Sequence, residues 1–191
     1  MERQACEEKT DQALMLAVAD GDVEQLGFLF DRYHKQLFNF LFHFTGNHQL
    51  SEDLVQEVFV RILKYRHTWQ CDFGFRAWMF QIARNVRTDY VQRNTRQEVN
   101  IEDHKEEFIC PLPTPDVAAE WQDDMRITLE ALKMLSEERR EVLLLRGFQG
   151  MKFEEIAEVL KCSINAVKGR AFTAIRELRN IVRRLKQEKV V

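Results

Sequence analysis

Apolar residues recur at steps of three and four along the first half of the chain, a spacing that places them on one face of a helix. The longest such run begins at Leu26, continues to Phe44 and stops at Gly46-Asn47, a typical C-terminal helix cap. Phenylalanines also alternate over positions 38 to 44, as they would in a half-buried strand. The extension of the run back to Leu26 favours the helix.

Two more helices follow in this half. Ser51 is a plausible N-cap for the first of them, whose buried stripe extends from Leu54 to Ile62. The second is predicted from about Phe75 to Arg93, and its apolar stripe consists of Met79, Ile82, Ala83, Val86 and Tyr90. Residues 67–74 are then predicted to form the loop between these two helices.

The second half of the chain predicts four helices, the last two of which form a helix-turn-helix. The first spans Trp121 to Leu135, and the second is capped by Ser136 and ends at Gly147. A short helix at 153–160 and a long one from Ser163 to about Leu185 are separated by only two residues, which is typical of a helix-turn-helix. The predicted buried stripe of the long helix consists of Ile164, Val167, Ala171, Ile175, Leu178 and Val182.

All three prolines of the chain lie together, at positions 111, 113 and 115, directly after an acidic stretch. Proline at every second position prevents a helix and favours an extended path. Residues 97–118 are therefore predicted to be a linker between a domain at 10–96 and a domain at 119–188, with a tail at 1–9. The predicted fold is all-α, with two small helical domains joined by an extended linker.

Composition narrows the class of protein. The chain has 191 residues, 45% of them hydrophobic and 31% charged, which suits packed domains and excludes a disordered or collagen-like chain. No run of about 18 apolar residues is present and the start is polar, so neither membrane insertion nor a secretory signal is predicted. Four scattered cysteines without a Cys-x-x-Cys pair indicate neither a disulfide framework nor a cysteine-rich zinc site. We expect a soluble cytoplasmic protein.

The net charge of −3 conceals alternating acidic and basic segments. Residues 1–60 carry a net −7 and residues 101–160 a net −8, whereas 61–100 carry +5 and 161–191 carry +7. Basic segments of this kind are candidate phosphate-contacting surfaces, although solvated helix faces have the same composition. Each basic segment coincides with a helix that has a second, polar face.

The long C-terminal helix presents polar and basic side chains near its start, outside its apolar stripe. A recognition helix needs this arrangement, with donors against base edges and cations against phosphates, but an ordinary helical hairpin with a basic face would also show it. Gly169 lowers helix propensity by about 1 kcal/mol relative to alanine, and close approach of a DNA backbone would explain its presence. The candidate contacts are Ser163, Asn165, Lys168, Gly169, Arg170, Phe172 and Thr173.

The helix from Phe75 to Arg93 combines arginines with nearby aromatic residues. Unpaired nucleic acid is bound by such a combination, since stacking a base on an aromatic ring contributes about 1–3 kcal/mol. The aromatic residues of the helix are expected mainly in the core, and Trp69, in the preceding polar loop, is the better stacking candidate. The polar face consists of Gln81, Arg84, Thr88 and Gln92, flanked by Trp78 and Asn85.

The helix after Ser51 also has a polar face, which either solvation or the docking of a partner helix would explain. No catalytic cluster, glycine-rich phosphate loop or metal-ligand spacing is present, and the pair His67 and Cys71 supplies only two ligands. We therefore predict no enzyme activity, no metal and no cofactor. The polar face consists of Asp53, Gln56, Glu57, Arg61 and Lys64.

Four stretches, in this order, resemble the sigma-70 family, and specifically its two-domain extracytoplasmic-function (ECF) members. They are 21–47 (GDVEQLGFLFDRYHKQLFNFLFHFTGN), 52–63 (EDLVQEVFVRIL), 75–90 (FRAWMFQIARNVRTDY) and 135–178, which contains the helix-turn-helix. The resemblance implies a sigma factor that binds core RNA polymerase, recognises the minus-35 and minus-10 promoter elements, melts the minus-10 region and initiates transcription of a specific regulon.

The same resemblance implies a role for individual residues of region 2, the N-terminal domain, and region 4, the C-terminal domain. Asp53, Gln56, Glu57, Phe59 and Arg61 would dock on the β′ clamp helices of the polymerase. The minus-10 element would be contacted as a single strand by Trp69, Phe73, Arg76, Trp78, Gln81, Arg84, Asn85, Thr88 and Arg93. Region 4 would sit on the β flap and contact duplex minus-35 DNA through Ser163, Asn165, Ala166, Lys168, Gly169, Arg170, Phe172 and Thr173. Family members commonly have arginine at the position of Thr173 and threonine at that of Ala166.

An anti-sigma factor, soluble or membrane-anchored, is a further partner that the resemblance implies, because such factors usually cover the polymerase-docking surfaces. Each domain alone offers few phosphate contacts, so we expect the free protein to bind DNA weakly until polymerase holds both domains at a set separation. Two alternatives are a stand-alone helix-turn-helix regulator that acts without polymerase and an interaction module that binds polymerase or a sigma factor without contacting DNA.

Overall fold

The computed structural model describes residues 9–70, 74–95 and 118–188, and every regular element within these ranges is helical. No strand occurs in this described part, so the all-α prediction is confirmed. The described ranges contain the α-helices α1 (Asp11–Ala19), α2 (Gln25–Thr45), α3 (His48–Tyr65), α4 (Phe75–Thr95), α5 (Ala118–Lys133), α6 (Glu137–Leu143), α7 (Phe153–Leu160) and α8 (Ile164–Glu188). A 3₁₀ turn, Arg66–Thr68, follows α3, and a π-helical segment, Leu144–Phe148, follows α6.

Two compact units are present. The first contains α1 to α4 and residues 158–160 of α7, and the second contains α5, α6, residues 153–157 of α7, and α8. The predicted tail and linker lie outside the described residues, except for Lys9 and for Ala118, the first residue of α5. None of the described helices combines the length and apolar character needed to span a bilayer.

The turn between α2 and α3 corrects one predicted cap. Gly46 ends α2 with φ 62°, a left-handed conformation that glycine adopts without strain, as predicted. The N-cap of α3, however, is Asn47, whose side chain accepts a hydrogen bond from the Leu50 N–H at 2.9 Å. Ser51, the predicted cap, is instead fully buried in the first turn, where its Oγ donates to the Asn47 carbonyl at 2.7 Å. The helix therefore begins four residues earlier than the predicted cap at Ser51 implies.

The core of the first unit is formed by large aromatic and aliphatic side chains of α2, α3 and α4. Phe40 and Phe80 are fully buried and meet edge to face, with ring centroids 5.3 Å apart. The helix α1, which the sequence did not predict separately, adds Leu14, Met15 and Val18 to this core.

Polar contacts also hold α1 in place. Asp11, in its first turn, accepts hydrogen bonds from Tyr33 and Arg32 of α2. Burial, together with the Asp11 carboxylate, raises the pKa of Tyr33 well above its ordinary value. The hydrogen bond that the Tyr33 phenol donates to Asp11 thus ties α1 to α2.

The second unit packs α8 against α5 and α6. Leu129, Leu132, Leu135, Leu143 and Ala174 form its buried cluster. An ion pair between Arg139 and Glu177 joins α6 to α8 at the edge of this cluster. The residue before α6 is Ser136, as predicted, but its side chain makes no capping hydrogen bond. The helix that was predicted to end at Gly147 becomes π-helical after Leu143.

The apolar stripe of α8 differs from its prediction. Val167 and Ala171 are buried as expected, but Ile164 and Ile175 are exposed, and Ala174 is buried in place of Ile175. Each residue of a helix is rotated about 100° from the last, so 167, 171, 174 and 178 lie on one side and 164 and 175 lie off it. The exposed isoleucines therefore leave apolar surface on α8 that the unit itself does not cover.

Candidate nucleic-acid and polymerase interfaces

The helix-turn-helix has the local geometry that its sequence predicts. Lys161, between α7 and α8, has φ 50° and so turns the chain sharply. The Cys162 N–H donates to the Ala157 carbonyl at 3.1 Å. Ser163 then caps α8, because its Oγ accepts a hydrogen bond from the Ala166 N–H at 3.2 Å. These contacts fix the start of α8 relative to α7.

Four of the predicted minus-35 residues share one exposed face at the start of α8. This reading face consists of Asn165, Lys168, Gly169 and Phe172, and Phe172 is 69% exposed. An apolar ring so exposed contributes little to the packing of its own unit. Ser163 is also exposed, whereas Ala166, Arg170 and Thr173 lie at the half-buried border of the face.

Charged and small residues complete this surface. The Arg170 guanidinium lies 3.9 Å from the Glu138 carboxylate at the start of α6, and the Lys168 ammonium lies 6.0 Å from the ring centroid of Phe153. A Cβ added at Gly169 would meet no atom within 4 Å. Among the described residues, therefore, none requires glycine at this position.

The same face of α8 continues beyond the predicted residues. Positions 172, 176, 179 and 183 follow one another at steps of three and four, which keeps them on one side of the helix. Arg176, Arg179 and Arg183 are all exposed there. The predicted minus-35 contacts end at Thr173 and do not include these arginines, although their spacing in the sequence could have revealed them.

Helix α4 holds most of the predicted minus-10 residues, but only part of the set is exposed. Asn85, Thr88 and Arg93 are exposed, and the remaining members on α4 are half-buried. Thr88 donates through Oγ1 to the Arg84 carbonyl at 2.9 Å, which keeps its hydroxyl against the helix. The half-buried members are Arg76, Trp78, Gln81 and Arg84.

Trp69 was predicted to be accessible for base stacking because it lies among polar residues, but the structure buries it. The Trp69 side chain is only 8% exposed, although it follows a polar 3₁₀ turn. Burial of its large apolar surface stabilises the fold by roughly 25 cal/mol per Å², which outweighs the local polarity of the loop. Phe75 and Phe80 are buried in the core, as expected, while Trp78 is half-buried beside Phe75. Phe73 lies outside the described residues.

The polar face of α3 includes an apolar residue that the sequence did not single out. Asp53, Gln56 and Lys64 are exposed, and Val60, four residues after Gln56, is 59% exposed. Phe59, predicted as a polymerase contact, is 7% exposed, with its ring centroid 4.9 Å from that of Phe30. Phe59 therefore joins α3 to α2, and Val60 takes the outward position.

Arg61 does not extend into solvent from this face. Its Nε donates to Glu57 Oε1 at 2.7 Å, and its Nη1 donates to Asp89 Oδ2 of α4 at 2.6 Å. Burial opposes the charge of the guanidinium, but the hydrogen bonds to Glu57 and Asp89 outweigh it and raise the pKa of Arg61. The arginine thus links α3 to α4 inside the domain.

An open groove of about 760 Å³ lies between α5 and the distal half of α8. Leu178 and Val182 give it an apolar floor, and arginines and a lysine stand at its edge. Its lining residues are Thr128, Leu178, Arg179, Val182, Arg183, Lys186 and Gln187. Across the described residues, no group of three His, Cys, Asp or Glu side chains is placed to hold a metal ion.

Two parts of the chain match families of known proteins. Residues 29–97 match Sigma-70 region 2, and residues 125–178 match Sigma-70, region 4. The ECF RNA polymerase sigma factor SigX of Bacillus subtilis is 30% identical over 173 residues, which cover 86% of this chain and 87% of that protein. The chain belongs to the sigma-70 family. It is an ECF sigma factor, a non-catalytic subunit that acts with RNA polymerase in transcription initiation.

Other relatives and solved structures agree with this assignment. The RNA polymerase sigma-H factor of Pseudomonas aeruginosa is 26% identical over 176 residues, 87% of this chain and 91% of that protein. RpoE of Bartonella quintana, solved with the anti-sigma factor NepR, is 25% identical with a TM-score of 0.65, covering 85% of this chain and 97% of that one. CnrH, solved with the cytosolic domain of CnrY, has the same fold, with a TM-score of 0.69 at 24% identity over 90% of this chain and 96% of that one.

Proposed function

We propose that this ECF sigma factor uses α8 to bind the minus-35 element as duplex DNA and α4 to bind the minus-10 element as a single strand. The observation that carries the proposal is the reading face of α8, where Asn165, Lys168 and Phe172 are exposed around a glycine that the fold does not require. A helix with this face fits the major groove, which is wide enough for an α-helix. Each base pair displays there a distinct pattern of hydrogen-bond donors, acceptors and methyl groups.

The chemistry of the reading face indicates how it would contact the duplex. Asn165 can bond adenine through two hydrogen bonds, and the Phe172 ring can contact a thymine methyl group. Lys168 and Arg170 supply cations for phosphates, and the capped N-terminus of α8 adds the partial positive charge of its dipole. Because Gly169 has no Cβ, the DNA backbone can approach α8 closely at this position. Ser163, Ala166 and Thr173 complete the proposed contact surface.

The minus-10 strand would follow the outer face of α4. Asn85 and Arg93 offer exposed donors, and the half-buried Trp78 offers the accessible ring for stacking. The Thr88 hydroxyl, whose proton is bonded to the Arg84 carbonyl, offers an exposed acceptor. Arg76, Gln81 and Arg84 lie at the border of this face. Trp69 is buried at the end of the 3₁₀ turn that precedes α4. A flipped base would be held between this turn and α4, the stretch of the sequence to which Phe73 belongs.

Docking on the polymerase would use one surface on each domain. On region 2, Asp53, Gln56, Glu57 and the exposed Val60 fit the β′ clamp helices, with Phe59 supporting them from beneath. On region 4, the groove floored by Leu178 has the apolar character and basic edge that suit a helix of the β flap.

An anti-sigma factor that covers these docking surfaces would keep the protein inactive in the cytoplasm. RpoE of Bartonella quintana, at 25% identity, was solved with the anti-sigma factor NepR, which supports a partner of this kind. A soluble or a membrane-anchored regulator could act in this way, since only its cytosolic part needs to reach the sigma factor. Its release would allow the protein to join the polymerase on the nucleoid.

Run-off transcription with purified core polymerase tests the minus-35 assignment. The template is a promoter that the wild-type holoenzyme selects from randomised DNA. The double variant Lys168→Ala/Arg170→Ala should lose nearly all transcription from the duplex promoter, and its salt dependence should show about two fewer phosphate contacts. Lys133→Ala removes an exposed cation from α5 and serves as the matched control.

Two results would refute the proposal. Wild-type activity of the double variant would show that this face of α8 does not bind the minus-35 element. Footprints of the free protein on a palindromic site, without polymerase, would favour the stand-alone regulator instead.

A further inference from the structure

Arg61 lies between the face of α3 assigned to polymerase and the face of α4 assigned to DNA. Its guanidinium hydrogen-bonds Glu57 on α3 at 2.7 Å and Asp89 on α4 at 2.6 Å. The arginine side chain is only 18% exposed, whereas the carboxylates of Glu57 and Asp89 are 42% and 43% exposed. The cation is therefore inside the domain, and the two anions that it neutralises reach the surface.

Asp89 occupies an unusual position on α4. It is the only acidic residue of this helix, which otherwise carries four arginines. Residues three and four apart are neighbours on a helix surface, so Asp89 lies beside Asn85 and Arg93, two proposed minus-10 contacts. An uncompensated carboxylate at this place would repel the phosphates of a bound strand.

We propose that Arg61 is a positioning residue for minus-10 recognition, which neutralises Asp89 and holds α4 against α3 so that the DNA-facing surface of α4 presents no free negative charge. The inference rests on the proposed function, in which α4 contacts the minus-10 strand. It changes the role expected for Arg61 from a direct contact with polymerase to support of the DNA-binding helix.

The proposal predicts an asymmetry between the two partners. Replacing Arg61 by a neutral residue leaves Asp89 charged beside the DNA, whereas replacing Asp89 by asparagine removes the repulsive charge and leaves Arg61 bonded to Glu57. If the pair only braced two helices, either replacement would weaken DNA binding to a similar degree. The charge effect should also shrink as salt screens it.

The test uses holoenzyme assembled from the full chain and core polymerase. The probe is a fork-junction DNA that wild-type holoenzyme selects from a pool randomised in its single-stranded segment. Arg61→Gln should bind this fork about five- to tenfold more weakly at low salt, with a smaller deficit at high salt. Asp89→Asn should bind within about twofold of wild type, and Arg61→Gln/Asp89→Asn should recover most of the loss. Arg61→Lys, which retains the charge but not the two separate N–H bonds, should bind more tightly than Arg61→Gln.

Core-polymerase affinity and thermal melts of each variant are measured in parallel, and binding is compared at a temperature where all are folded. Equal losses in Arg61→Gln, Asp89→Asn and the double variant would overturn the inference in favour of a brace. A loss of core affinity as large as the loss of fork binding would overturn it in favour of a polymerase contact. If wild-type holoenzyme selects no fork, the proposed function fails, and the inference with it.

Discussion

Helices α4 and α8 are both proposed to contact promoter DNA, but they are anchored in their domains in different ways. In α4 the core and the DNA face share neighbouring residues, since Phe75, Met79 and Phe80 are buried and most of the predicted contacts are half-buried. In α8 the reading face is separate from the core, which uses Val167, Ala171 and Ala174. Substitutions in α8 can therefore change DNA binding alone, whereas those in α4 also change stability.

The largest expected effect contrasts two phenylalanines. Phe80→Ala should lower the free energy of unfolding of region 2 by about 3–5 kcal/mol, because it removes a fully buried ring. Phe172→Ala, at a ring that is 69% exposed, should change stability by less than about 0.5 kcal/mol while it weakens holoenzyme binding to the minus-35 duplex. Urea unfolding and DNA binding measure the two effects. A marked loss of stability in Phe172→Ala would show that the reading face is part of the core.

Two tryptophans sharpen the comparison within region 2. Trp69→Ala removes a buried side chain, so we expect a loss of stability of about 3 kcal/mol and parallel losses of promoter binding and melting. Trp78→Ala, at a half-buried ring, should reduce stability less and impair melting more than initial binding. Permanganate footprinting of the holoenzyme complex follows the melting. If Trp69→Ala lost promoter melting while its stability and initial promoter binding were unchanged, Trp69 would act as a stacking residue after all.

The smallest expected effect concerns two helical glycines with open space around them. Gly169→Ala should raise the free energy of unfolding by about 1 kcal/mol, because alanine favours a helix and its Cβ meets no atom in the unit. The same substitution should lower minus-35 affinity, since the added methyl group would stand between α8 and the DNA backbone. Gly27→Ala in α2 is the matched control, with a gain in stability and unchanged minus-35 affinity. An unchanged minus-35 affinity in Gly169→Ala would show that the DNA backbone does not approach α8 closely at this position.

Most helices could be predicted from the sequence, because apolar periodicity and the Gly46 and Ser163 caps are local signals. The start of α3 could not, since Asn47 directly follows the cap of α2 and the buried Ser51 is an equally good capping residue by type. A cap is decided by which backbone N–H groups lack partners, and that depends on the fold.

The sites were less predictable where an apolar residue could serve either the core or a partner. The apolar periodicity of α3 places Phe59 in the buried stripe, whereas the family resemblance makes it a polymerase contact, and the structure buries it. Ile164 and Ile175 match a buried stripe, yet they are exposed on α8. An apolar surface that a partner covers has the same pattern as one that the core covers, and only the packed structure distinguishes them.

The most direct test of the account compares the affinity of one promoter for the free protein and for the holoenzyme. The account predicts that the free protein binds weakly and without sequence preference, in the range of about 10⁻⁴–10⁻⁶ M at physiological salt. The holoenzyme should bind the same promoter specifically and open it, because polymerase holds the two DNA-binding domains at a set separation. Tight, promoter-specific binding by the free protein, or a core polymerase that neither retains the protein nor opens the promoter with it, would contradict the account.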